Sequence, residues 1–66
     1  MRLSVNGHDR ELQPEVTVAE LVASFNLQPK FVAVEVNCEL VPRRDYDQTR
    51  LREGDKVEIV TLVGGG

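Results

Sequence analysis

Three glycines end this chain, Gly64-Gly65-Gly66, directly after the apolar, β-prone run Val60-Thr61-Leu62-Val63. Consecutive glycines add nothing to a strand, because each loses more backbone entropy on ordering than any other residue. What they provide is a thin backbone with no side chain beside the terminal carboxylate, suited to threading into a narrow channel. Extended, residues 63–66 reach about 13–14 Å. A terminal carboxylate is ionised at neutral pH and is a nucleophile towards an activated phosphate. The chemistry expected is covalent activation of the Gly66 carboxyl, with Gly64, Gly65 and Gly66 entering the active site of another protein. The plain alternative is a frayed end, common in glycine-rich termini.

The other residue types capable of chemistry are sparse. Cys38 is the single cysteine and His8 the single histidine, so neither a disulfide framework nor a standard zinc site can be assembled. Metal sites are expected to be absent, and no bound cofactor is expected. Cys38 is followed by Glu39, whereas a nucleophilic thiol needs cationic surroundings, so it reads as structural or incidental. His8 reads as a surface residue. The acid pairs Asp45 and Asp47, and Glu53 and Asp55, are explained by loop and turn hydrogen bonding.

Size and composition point the same way. Sixty-six residues make one domain with a small core, burying about 60% of the unfolded surface. Such a domain has little room for the ~300 Å³ pocket that a small-molecule site usually needs. With 41% apolar and 29% charged residues the chain reads as soluble and globular. A net charge of −3 argues against nucleic-acid binding, which needs a basic footprint. No run approaches the ~20 apolar residues of a membrane span, and the first residues lack a signal-peptide core. A cytoplasmic location without membrane association is expected.

The elements that must position the tail are legible in order. Leu3 and Val5 alternate with Ser4 and Asn6, and Asn6-Gly7 signals a type I′ hairpin turn. The return strand, residues 8–13, ends at Pro14. Thr17 is an N-cap with Glu20 placed to close a capping box. Val18, Leu21, Val22 and Phe25 form one helical stripe, with Leu27 packing back and Pro29 blocking continuation. Residues 31–37 form a strand with Val32, Val34 and Val36 on one face. A tight turn at Asn37-Cys38 leads into a short extended piece, residues 39–41. Residues 43–52 read as a loop, with one helical or 3₁₀ turn, pinned by Tyr46 and Leu51. After a turn at Glu53-Gly54-Asp55, residues 56–62 form the last strand, with Val57, Ile59 and Thr61 on one face and Glu58, Val60 and Leu62 on the other. This is an α+β arrangement: a mixed four- to five-stranded sheet with one helix on one face and the other face uncovered. Residues 1–62 are the domain and residues 63–66 a flexible tail.

This order of elements resembles the β-grasp, or ubiquitin-like, fold. The local sequence resembles the ThiS/MoaD-type sulfur carrier family, the ThiS branch above all. The resemblance is carried by Val5-Asn6-Gly7, Thr17-Val18-Ala19-Glu20-Leu21, Val32-Ala33-Val34-Glu35-Val36-Asn37 and Val41-Pro42-Arg43. It continues through residues 51–60 and the terminal Val63-Gly64-Gly65-Gly66. Tyr46 departs from the tryptophan that many relatives carry. The resemblance implies that the chain is not an enzyme but a co-substrate. Gly66 would be adenylated by a ThiF-type enzyme with ATP and magnesium and converted to a thiocarboxylate. The sulfur donor would be a persulfide of a cysteine desulfurase or equivalent. A ThiG-type thiazole synthase would receive the sulfur for the thiazole ring of thiamine.

A carrier must dock before its tail reacts. An exposed apolar patch on a small protein marks a partner surface, and Phe31, Val60 and Leu62 fall opposite the expected core. Residues 43–52 hold four arginines in an otherwise acidic chain; of these, Arg43 and Arg50 are expected to steer docking. The tail alone leaves other sulfur pathways open: molybdopterin, cysteine or tRNA thiolation. It also leaves open a ubiquitin-like modifier forming isopeptide bonds, and a β-grasp module that binds without covalent chemistry.

Overall fold

A computed structural model describes residues 1–62. The order of elements is β1 (Arg2–Val5), β2 (His8–Glu11), α1 (Val18–Ser24), a 3₁₀ turn (Pro29–Phe31), β3 (Val32–Val36), β4 (Glu39–Leu40), a second 3₁₀ turn (Arg43–Asp45) and β5 (Lys56–Thr61). The strands form one mixed sheet in the order β2-β1-β5-β3-β4. β5 lies at its centre, parallel to β1 and antiparallel to β3.

Local chemistry explains most boundaries. Asn6 and Gly7 both have positive φ (52° and 82°), as do Asn37 and Cys38 (53° and 71°). These are the backbone angles that the right-handed twist of a two-residue hairpin requires. Thr17 caps α1: its hydroxyl accepts from the Glu20 N–H at 3.1 Å, and Glu20 Oε1 accepts from the Thr17 N–H at 2.9 Å. At the other end Asn26 takes a left-handed φ of 60°, its N–H bonding to Ala23 O and the Leu27 N–H to Val22 O. This is a Schellman closure, and the helix stops at Ser24, five residues before Pro29.

The core lies between α1 and one face of the sheet. Val18, Leu21 and Val22 from the helix pack on Leu3, Val5, Val32, Val34, Val57 and Ile59, with Val41, Tyr46 and Leu51 closing the side. Phe25 is only partly buried, and the Arg10 guanidinium lies 4.6 Å from its ring centre. Three expectations are adjusted. The return strand stops at Glu11, with Leu12 partly buried beyond it. Phe31 belongs to the 3₁₀ turn rather than to β3. β5 stops at Thr61, one residue before the expected end at 62, and Thr61 is exposed.

Candidate functional site

Among the described residues no second layer covers the far face of the sheet. Val57 and Ile59 point to the core, so alternation places Glu58, Val60 and Leu62 on the open face. Across the β3–β5 register, Ala33 stands opposite Val60 and Glu35 opposite Glu58. The Leu62 N–H bonds to Phe31 O at 2.6 Å, which sets Phe31 beside Leu62 at the end of the same face. Phe31, Val60 and Leu62 thus lie together, 51%, 58% and 49% exposed. The Lys30 ammonium lies 5.2 Å from the Phe31 ring centre.

Sequence reasoning missed Leu40, which is 66% exposed. It pairs directly with Glu35 and so falls on the open face. The signal was present: a two-residue turn at Asn37-Cys38 pairs Val36 with Glu39 and Glu35 with Leu40, fixing which way Leu40 points.

Arg43 and Arg50, the two arginines expected to steer docking, make contacts within the fold. Arg43 Nε donates to Pro29 O at 2.9 Å and a terminal nitrogen to Val32 O at 3.4 Å. Its guanidinium ties the loop to the 3₁₀ turn that carries Phe31, so its visible task is positioning. Arg50 lies next to the N-cap of α1, bridged to Thr17 and 3.5 Å from Glu15. That is the end of the helix away from the Phe31 turn, and Arg50 does not join the apolar face. Cys38 and His8 are exposed. Glu53 and Asp55 accept backbone bonds from Arg2 and Arg52, the structural task expected of them. Among the described residues no cluster of His, Cys, Asp or Glu is placed to hold a metal ion, and no helix is long and apolar enough to cross a membrane.

Gly64, Gly65 and Gly66, the residues expected to carry the covalent chemistry, lie outside the described residues. The described part of the molecule ends one residue beyond β5, the central strand. Leu62, the last described residue, lies at the apolar end of the open face.

Comparison with known proteins gives this geometry a context. The ThiS family model matches residues 3–66, a span that includes the three terminal glycines. The sulfur carrier protein ThiS of Bacillus subtilis is 38% identical over 65 residues, covering 97% of this chain and 98% of its own. A thiazole synthase from Paramagnetospirillum magneticum is 41% identical over all 66 residues, but the chain spans only 20% of that protein's length. The crystal structure of the thiamine biosynthesis protein ThiS from Geobacter metallireducens superposes with a TM-score of 0.84 at 35% identity, each chain covered completely. The fold is the β-grasp, and the chain belongs to the ThiS family.

Proposed function

We propose that this protein is a sulfur carrier of thiamine biosynthesis, working through its C-terminal carboxyl. The supporting observation is the family match running through Gly66, joined to a β-grasp fold whose central strand is the last described element, ending at Thr61. In the proposed cycle the Gly66 carboxylate attacks the α-phosphate of ATP on a ThiF-type enzyme, magnesium screening the phosphates, and pyrophosphate leaves. The acyl-adenylate makes AMP the leaving group. The terminal sulfur of a persulfide attacks the carbonyl carbon and displaces AMP, giving an acyl disulfide. A thiol then attacks the donor's own sulfur, breaking the S–S bond brought by the persulfide and leaving a disulfide on the donor and a thiocarboxylate on Gly66. That sulfur goes to thiazole formation; the similarity of the whole chain to one segment of a thiazole synthase favours this acceptor over molybdopterin, cysteine or tRNA thiolation.

The chain's own part is recognition and delivery. The apolar group Phe31, Ala33, Leu40, Val60 and Leu62 gives a partner a desolvated contact beside the tail. Glycines at 64–66 let the backbone pass where a Cβ would meet the channel wall or the nucleotide.

Intact mass measurement of the protein isolated from its own cells tests the reading. The expected species has one oxygen replaced by sulfur, located in the fragment carrying Gly66. Failure to form that species in vitro with an active adenylating partner, ATP and a persulfide donor overturns the reading.

A further inference from the structure

The C-terminal half of β5 has an open edge. Asn37 N–H bonds to Lys56 O at 2.7 Å and Leu62 N–H to Phe31 O at 2.6 Å. In an antiparallel ladder of this register the hydrogen-bonded residues alternate, so Lys56, Glu58, Val60 and Leu62 face β3. Val57, Ile59 and Thr61 turn their N–H and C=O the other way, towards β1. Val57 O accepts from the Asn6 N–H at 2.8 Å. The Ile59 N–H and C=O are met by the Asn6 carboxamide at 2.8 and 3.2 Å. β1 ends at Val5 and the chain then turns away. The Thr61 N–H and C=O have no strand partner among the described residues.

Beside this edge runs a groove of about 280 Å³ lined by Asn6, Phe25, Leu27, Ile59 and Thr61. One wall offers a backbone donor and acceptor, and the remainder is mostly apolar. That combination suits an added β-strand, with main-chain bonds for affinity and a recess for a side chain.

We propose that this edge of β5 takes an extended peptide segment of the adenylating enzyme that handles the tail. The proposal rests on the carrier reading above. Gly66 stands four residues after Leu62, a span of about 13–14 Å when extended. An enzyme that takes Gly66 must therefore bring its own surface close to the end of β5, where a strand of its chain can complete the ladder. Arg10, over the Phe25 ring at 4.6 Å, sets a positive charge by the groove and favours a segment carrying a carboxylate.

Amide hydrogen exchange of the full ¹⁵N-labelled chain, alone and with the adenylating enzyme from the same organism, tests this residue by residue. Alone, the Thr61 amide exchanges fast while Val60 and Leu62 are protected. In the complex, the Thr61 amide becomes protected. Thr61→Pro removes the N–H that faces the groove and no bond to β3; it binds the enzyme about tenfold more weakly, the worth of one lost hydrogen bond that leaves its partner unpaired. Thr61→Val keeps the backbone donor and binds as the parent does. A complex that forms while the Thr61 amide still exchanges fast, with Thr61→Pro binding normally, overturns the edge site and leaves the carrier reading intact. Protection that rises with carrier concentration alone makes the occupant a second copy and overturns the assignment to the enzyme. If the parent chain neither binds nor is adenylated, both readings fall.

Discussion

The carboxamide of Asn6 stands in for a residue of β1 against the backbone of Ile59. Its Oδ1 accepts from the Ile59 N–H at 2.8 Å and its Nδ2 donates to Ile59 O at 3.2 Å. One side chain thus continues the parallel ladder for a step after the main chain has entered its turn, at a φ of 52° that few residues tolerate.

Replacing Asn6 tests both tasks. Asn6→Ala loses two hydrogen bonds and places a Cβ without local compensation at positive φ. The expected loss is about 2–4 kcal/mol by urea unfolding. Asn6→Gly relieves the backbone term and recovers about 1 kcal/mol of it. Equal losses for the two variants would assign the whole effect to the side-chain bonds.

The cap of α1 gives a smaller and cleaner effect. Thr17→Ala removes the acceptor for the Glu20 N–H and costs about 1 kcal/mol; Thr17→Ser keeps it and stays near the parent. Thermal unfolding of the three proteins measures this. A fall for Thr17→Ser as large as for Thr17→Ala would shift the cause to the lost methyl group.

Glu35 and Glu58 stand directly opposite each other on the open face, and both are exposed. Like charges in that relation destabilise a sheet. Glu58→Lys is expected to raise stability by about 0.2–1 kcal/mol, with the gain shrinking in high salt. A gain that does not depend on salt would point away from charge as its cause.

The open face separates docking from folding. Val60 and Leu62 are about half exposed, so Val60→Arg or Leu62→Glu should leave the unfolding midpoint near that of the parent. Each should weaken binding to the adenylating enzyme about tenfold or more. Arg43→Ala should behave in the opposite way, because its guanidinium holds the carbonyls of Pro29 and Val32: stability falls first. Arg50→Ala should change neither by much, since its pairing with Glu15 is exposed on both sides.

At the tail, Gly65→Ala and Gly66→Val are expected to fold as the parent does and to lose ATP–pyrophosphate exchange with the adenylating enzyme. Normal exchange in either variant would remove the steric account of the glycines.

Much of this molecule was legible because its causes are local. The Asn6-Gly7 and Asn37-Cys38 turns, the Thr17–Glu20 capping box and the Val18-Leu21-Val22 stripe each depend on residues within a turn or two of one another. Their backbone angles and bonds follow from residue type alone. The exposure of Val60 and Leu62 was legible for the same reason: along a strand, alternation assigns faces once one core residue is known, whereas Phe31 sits in the 3₁₀ turn before β3, where alternation does not apply. Leu40 needed one more step, the register of its hairpin. The tasks of Asn6, Arg43 and Thr61 were hidden because their partners lie far along the chain or are defined by an absence. Asn6 meets Ile59 across 53 residues, Arg43 meets Pro29 across 14, and the open edge at Thr61 exists only because β1 leaves the sheet before β5 ends. Residue types determine which local structures can form. Only the assembled sheet decides which backbone groups are left to be completed by another protein, since hydrogen-bond direction along β5 is set by its register with β1 and β3 together.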